Sequence, residues 1–120
     1  MNLDSLLIEA SKLGLTQVVA KLLEQGANVH TEDNEALKRA SFNGTVDVVS
    51  LLLKAGADVR AGTDFALRSA SYHGHVDVVR LLLKAGADVR AVDREAIRCA
   101  SLWDHVDVAD LLRQYSKETP

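Results

Sequence analysis

The chain repeats with a period of 30 residues, and that period constrains its fold more than any other property. Val46-Asp47-Val48-Val49 returns as Val76-Asp77-Val78-Val79, and again as Val106-Asp107-Val108. Residues 51–60 return unchanged as 81–90. A fainter copy opens the chain with Val18-Val19, Leu22-Leu23 and Gly26-Ala27-Asn28-Val29. Four copies, 1–30, 31–60, 61–90 and 91–120, fill the 120 residues. Such a period marks a solenoid, in which one unit cannot bury its own apolar face and must stack on its neighbours.

The period implies one array and one domain over 1–120, with no linker. Residues of apolar type make up 48% of the chain, which excludes disorder. No apolar run exceeds four residues, so no transmembrane helix is expected. The N-terminus carries Asp4 and Glu9 and has no basic start, unlike a signal peptide. Cys99 is alone, so no intrachain disulfide can form, and a cytoplasmic location follows as the expectation. The net charge of −3 argues against nucleic-acid binding as the main activity.

Each repeat reads as two helices. In the third copy, Ala66, Leu67, Ala70 and Ser71 fall at helical spacing and set a first helix over 64–72. Thr63 or Asp64 is expected to cap it, as are Asp33 and Asn34 in the second copy and Asp93 in the fourth. Gly74, with Gly14 and Gly44, ends the first helix; Asp104 breaks this pattern. A second helix over 76–85 carries a buried stripe of Val78, Val79, Leu82 and Leu83, and Gly86 closes it. Ala10, Ala40, Ala70 and Ala100 recur at one position, with a serine after each, which suits close helix approach.

These residues resemble an ankyrin repeat. Gly74-His75, then residues 76–83 and Gly86-Ala87-Asp88-Val89, look like the second-helix half. Residues 66–71 are similar to the family's Thr-Pro-Leu-His-x-Ala-Ala segment. The resemblance implies an all-α, ankyrin-like solenoid of four helix-turn-helix repeats, with a concave binding face made by first helices and loops. The usual period is about 33 residues, so the shortfall falls between Arg60 and Phe65, where the family carries a β-hairpin finger. Shortened loops at 57–63 and 87–93, with little or no hairpin, are therefore expected. The Thr-Pro and His are replaced by Glu35-Ala36 and Lys38 in one copy and by Phe65-Ala66 and Arg68 in the next.

The first and last copies read as caps. Lys21 replaces the leucine of Leu51, Leu81 and Leu111, and Ala109 and Arg113 replace Val79 and Leu83. Polar or smaller residues on a terminal face oppose end-to-end association, so a finished four-repeat monomer is expected.

No constellation points to catalysis or a metal. His75 and His105 lie one period apart, about one helix spacing or ~10 Å, whereas metal ligands meet within about 2 Å of one ion. Both are expected to cap the second helix, with Thr45 in the same place. The serines belong to the packing pattern and each glycine ends a helix, so no nucleophile, phosphate loop or cofactor site is read. Basic residues form ladders, Lys38, Arg68 and Arg98 at one position and His30, Arg60 and Arg90 at another. Salt bridging, including Asp64 to Arg68, is the simple reading; an acidic partner is the sharper one.

A scaffold repeats what packing needs, so first-helix positions that vary are candidates for recognition. These are Glu9, Arg39, Ser69, Cys99; Lys12, Phe42, Tyr72, Leu102; and Leu13, Asn43, His73, Trp103. Three of the five aromatic residues fall here, and Tyr and Trp are enriched at binding hot spots. The expected function is a non-catalytic module that binds an unknown protein partner through Arg39, Phe42, Asn43, Ser69, Tyr72, His73, Cys99, Leu102 and Trp103, with Arg60 and Arg90 from the loops. The rivals are a structural array with no dedicated partner, favoured by the near-identity of the middle copies, and an electrostatic nucleic-acid binder.

Overall fold

The computed structural model describes residues 2–92 and 105–118. They form seven α-helices and one 3-10 turn, with no strand among the described residues. The helices are α1 (Leu3–Leu13), α2 (Thr16–Glu24), α3 (Thr31–Asn43), α4 (Val46–Lys54), α5 (Ala61–Tyr72), α6 (Val76–Lys84) and α7 (Val106–Glu118). The 3-10 turn, Val89–Ala91, precedes α7. The fold is an all-α helical-repeat solenoid. First helices stack in the order α1, α3, α5, and second helices in the order α2, α4, α6, α7.

The core is built from repeat positions. Leu7, Leu37 and Leu67 come from the first helices and Leu22, Leu52, Leu82 and Leu112 from the second; all join one continuous cluster. Each fully buried leucine stabilises the fold by about 1.5–3 kcal/mol. Ala10, Ala40 and Ala70 are buried between stacked first helices, where a larger side chain would hold the helices apart. Ser11, Ser41 and Ser71 are buried beside them, and their hydroxyls have no hydrogen-bond partner.

The shortened loops are tight turns, not hairpins. The Ala61 N–H donates to the Asp58 carbonyl, and the Asp58 carboxylate accepts from the Arg60 N–H. The chain then enters its next first helix through a left-handed turn. Glu32, Asp33 and Asn34 take φ of 53°, 55° and 61°, and Gly62, Thr63 and Asp64 take 64°, 57° and 57°. A left-handed turn reverses the path in few residues, which offsets the missing finger, but each non-glycine residue there costs about 1–2 kcal/mol.

This turn corrects the expected caps. Among the described first helices, only α1 has the anticipated kind of cap: Asn2 Oδ1 accepts from the Ser5 N–H at 2.8 Å. Asn34 and Asp64 do not cap their own helices. Asn34 Oδ1 accepts from the Asp58 N–H at 2.8 Å, and Asp64 Oδ1 from the Asp88 N–H at 2.9 Å. Asp4 does the same to the Asn28 N–H at 2.7 Å. The three positions are one period apart, and each pins the loop that closes its own repeat, 24 residues on. Asp93 and Asp104 lie outside the described residues.

The histidine expectation is also corrected. His75 stands at the start of α6 but makes no side-chain cap there. Its Nε2 lies 3.0 Å from the Phe42 carbonyl, which can only accept, so Nε2 donates. The ring therefore serves the open C-terminal end of α3 in the preceding repeat. Thr45 Oγ1 likewise donates back to the Ala40 carbonyl.

The ends differ from each other. Arg113 is exposed where Leu83 is buried, and its guanidinium lies 3.4 Å from Asp110. Ala109, expected at an uncovered face, is instead fully buried. Lys21 is exposed as a capping residue would be, but Leu6, Leu13, Leu15 and Val18 are exposed in the same repeat.

Candidate interaction surface

Helical spacing brings varied residues to the C-terminal ends of α3 and α5. Phe42 and Tyr72 occupy equivalent last-turn positions, and both are exposed. Between them stands His73, its ring centroid 4.4 Å from Phe42 and 5.1 Å from Tyr72. His73 Nδ1 donates to the Ser69 carbonyl at 2.8 Å, which fixes the ring. His75 stacks 6.0 Å away at 12°. The row Phe42, His73, Tyr72 is thus held from several sides.

Phe65 extends the row. It is exposed at the start of the right-handed part of α5, with Lys38 Nζ 5.9 Å and Arg68 Cζ 5.8 Å from its ring centroid. A groove of about 470 Å³ runs between these rings, lined by Phe42, Phe65, Arg68, Ser69, Tyr72 and His73 with Ala91 and Val92 beyond. Sequence reasoning missed Phe65 as a surface residue. The signal was present: its position reads Ser5, Glu35, Phe65, Glu95 and does not repeat.

The cations are mostly engaged within the fold. Lys38 pairs with Asp33 at 3.0 Å and Arg39 with Glu35 at 2.8 Å. The expected Asp64–Arg68 pair does not form, because Asp64 is buried and turned to the Asp88 N–H. Arg68 instead donates Nε to the Thr63 carbonyl and Nη2 to the Gly62 carbonyl, closing the left-handed turn. Its partners are neutral, so its charge stays uncompensated by them at the groove. Arg60 donates to the Gly86 carbonyl, at the end of α6, and Arg90 pairs with Asp88 at 3.1 Å. The Arg90 backbone N–H, and then its side chain, hold the Asp88 carboxyl below its ordinary value.

The candidate residues therefore separate. Phe42, Tyr72, His73 and Ser69 come together at the groove, and Arg39 borders a smaller hollow beside Phe42 and Phe65. Ser69 contributes mainly its backbone, being buried. Asn43 is spent on packing: its Nδ2 donates to the Lys12 carbonyl at 2.9 Å, across to the preceding repeat. Arg60 and Arg90 do not line the groove. Cys99, Leu102 and Trp103 lie outside the described residues, as does Arg98.

Among the described residues, no group of three or more His, Cys, Asp or Glu is placed to hold a metal ion. No described helix is long and apolar enough to cross a membrane. Residues 67–113 match the family model described as ankyrin repeats (many copies). A comparison with curated proteins finds no match.

Proposed function

We propose, on the premise that the chain belongs to the ankyrin-repeat family, that it is a non-catalytic protein-binding module working as one array over residues 1–120. Repeats of this family are generally protein–protein interaction modules. The binding face in this reading is the first-helix and loop side. One observation carries it: the exposed aromatic row Phe42, His73 and Tyr72, extended by Phe65, borders an open groove. Rigid rings bury much area at low entropic cost, which makes them strong anchors. By the 30-residue period, Leu102 stands in the sequence at the position of Phe42 and Tyr72, and Trp103 at that of His73. The lone Cys99 supports a cytoplasmic setting.

The test pairs two measurements. Parent, Tyr72→Ala and Phe42→Ala proteins are melted, and each is used to capture partners from the host lysate. Loss of a captured protein by both variants, with melting nearly unchanged, supports the reading. Capture that survives both substitutions overturns this face as the binding site, and a parent that captures nothing favours a structural array. Among the described residues the loop arginines Arg60 and Arg90 bond within the fold, which argues against the nucleic-acid alternative.

A further inference from the structure

The third copy keeps a cation of the second copy and drops the carboxylates that answer it. By the 30-residue period, Asp33 and Lys38 become Thr63 and Arg68, and Glu35 and Arg39 become Phe65 and Ser69. In α3 both cations are paired within the fold, Lys38 with Asp33 at 3.0 Å and Arg39 with Glu35 at 2.8 Å. In α5 an exposed threonine stands where Asp33 stands, and an exposed ring where Glu35 stands. The backbone at Thr63 matches that at Asp33, with φ 57° and ψ 53° against 55° and 49°. The turn is therefore the same, and only the charge is missing. Among the described residues, Arg68 has no acidic partner. It is nonetheless held in place: its Nε and Nη2 donate to the Thr63 and Gly62 carbonyls, both at 3.0 Å. These bonds use the Nε–Nη2 edge, and the Nη1–Nη2 edge, a fork that pairs bidentately with a carboxylate, is left unused. The side chain is exposed, lines the groove, and has its Cζ 5.8 Å from the Phe65 ring centroid. Cation and apolar wall thus share one mouth, and a guanidinium fixed before binding has less ordering cost left to meet.

We propose that the groove takes a peptide segment in which a carboxylate side chain stands beside an apolar one, the carboxylate pairing with Arg68 and the apolar group seated among the rings. This occupant presupposes the groove as the binding face and adds the chemistry of its partner. Charge complementarity selects it. The second copy answers its cations with its own carboxylates, whereas the third leaves that place to a ligand. A neutral apolar segment would cover Arg68 with no counter-charge, and desolvating an unpaired charge is costly. A basic segment would meet a like charge. The apolar half of the ligand follows from Phe42, Phe65 and Tyr72, all exposed along the same groove.

The test selects random peptides displayed on phage against the full chain, with Tyr72→Ala protein as the counter-selection. Enriched peptides are synthesised and titrated against the parent and its variants. The expected peptides carry Asp or Glu beside, or one residue from, Leu or an aromatic residue. Replacing that acid by its amide should weaken binding about tenfold or more, the scale of a charge-assisted hydrogen bond. Thr63→Asp puts a carboxylate back at the place of Asp33 while Arg68 stays, and should weaken the acidic peptides by a similar factor. A left-handed turn accepts aspartate more readily than threonine, so melting of this variant should hold. The amide peptides should bind parent and Thr63→Asp alike, since the two changes remove one shared interaction. Peptides that need Tyr72 but carry no acid, or that bind Thr63→Asp as tightly as the parent, overturn the acidic ligand and leave the groove as an apolar binding face. Enriched peptides indifferent to Tyr72→Ala overturn the ligand and the groove together, as does a selection that enriches none.

Discussion

Three serine hydroxyls sit in the most crowded part of the stack without a partner, and their cost is measurable. Ser41 and Ser71 are buried beside the repeated Ala40 and Ala70, and their hydroxyls have no hydrogen-bond partner. An unpaired buried hydroxyl costs about 1–3 kcal/mol. Ser41→Ala and Ser71→Ala should each raise stability by about 1 kcal/mol in urea unfolding; a loss of stability would mean that the hydroxyls are bonded. The pins behave oppositely. Asp64→Ala leaves the Asp88 N–H unpaired and should cost about 1–2 kcal/mol, while Asp64→Asn should be near neutral because Asn34 does the same work with an amide. Asp88 adds a pH dependence. Its carboxyl is held below the ordinary 3.8, so it binds fewer protons folded than unfolded near that pH. Its stabilising contribution is complete above that value and is lost as pH falls through the folded pKa. An NMR titration of the Asp88 carboxyl in the parent should give a midpoint below that of an unfolded reference peptide.

At the scale of the element, the left-handed turn and the helix ends carry the strain. Thr63 is β-branched at φ 57°, a conformation its side chain disfavours. Thr63→Gly should relieve about 1 kcal/mol, less the entropy glycine gains in the unfolded chain; its folding stability in urea should match or exceed the parent's. Two glycines separate backbone strain from packing. Gly44 and Gly56 both have positive φ, but a Cβ at Gly44 would meet the His75 ring, while one at Gly56 meets nothing within 4 Å. Gly56→Ala should therefore cost only the backbone term of about 1–2 kcal/mol. Gly44→Ala should cost about 1 kcal/mol more, because the ring must leave the Phe42 carbonyl. Equal losses at the two sites would show that the His75 contact contributes nothing.

At the scale of the molecule, stability and binding should be separable. Tyr72, 61% exposed, has no core role and is the anchor of the proposed binding face. Tyr72→Ala should shift folding stability by no more than about 0.5 kcal/mol yet weaken partner binding by about 2 kcal/mol, read by melting and by titration with the captured partner. A large fall in melting temperature would make Tyr72 a structural residue. Much of this architecture was legible in the sequence. The 30-residue period fixed the helix pairs, the leucine and valine stripes and the closing glycines, because helix formation and apolar burial depend on spacing along the chain. The short loops followed from length alone. What the sequence could not assign was the direction in which each polar side chain reaches. Asn34, Asp64 and His75 occupy helix-terminal positions and read as local caps, and Asn43 reads as a recognition residue, yet each bonds 24 to 33 residues away. A donor or acceptor at a helix end has local and distant partners of similar strength, and only the folded packing, within a repeat or between repeats, decides between them. The same holds for the first and last copies: composition marks Lys21 and Arg113 as polar, but only packing decides that Ala109 is enclosed while Leu6, Leu15 and Val18 are exposed.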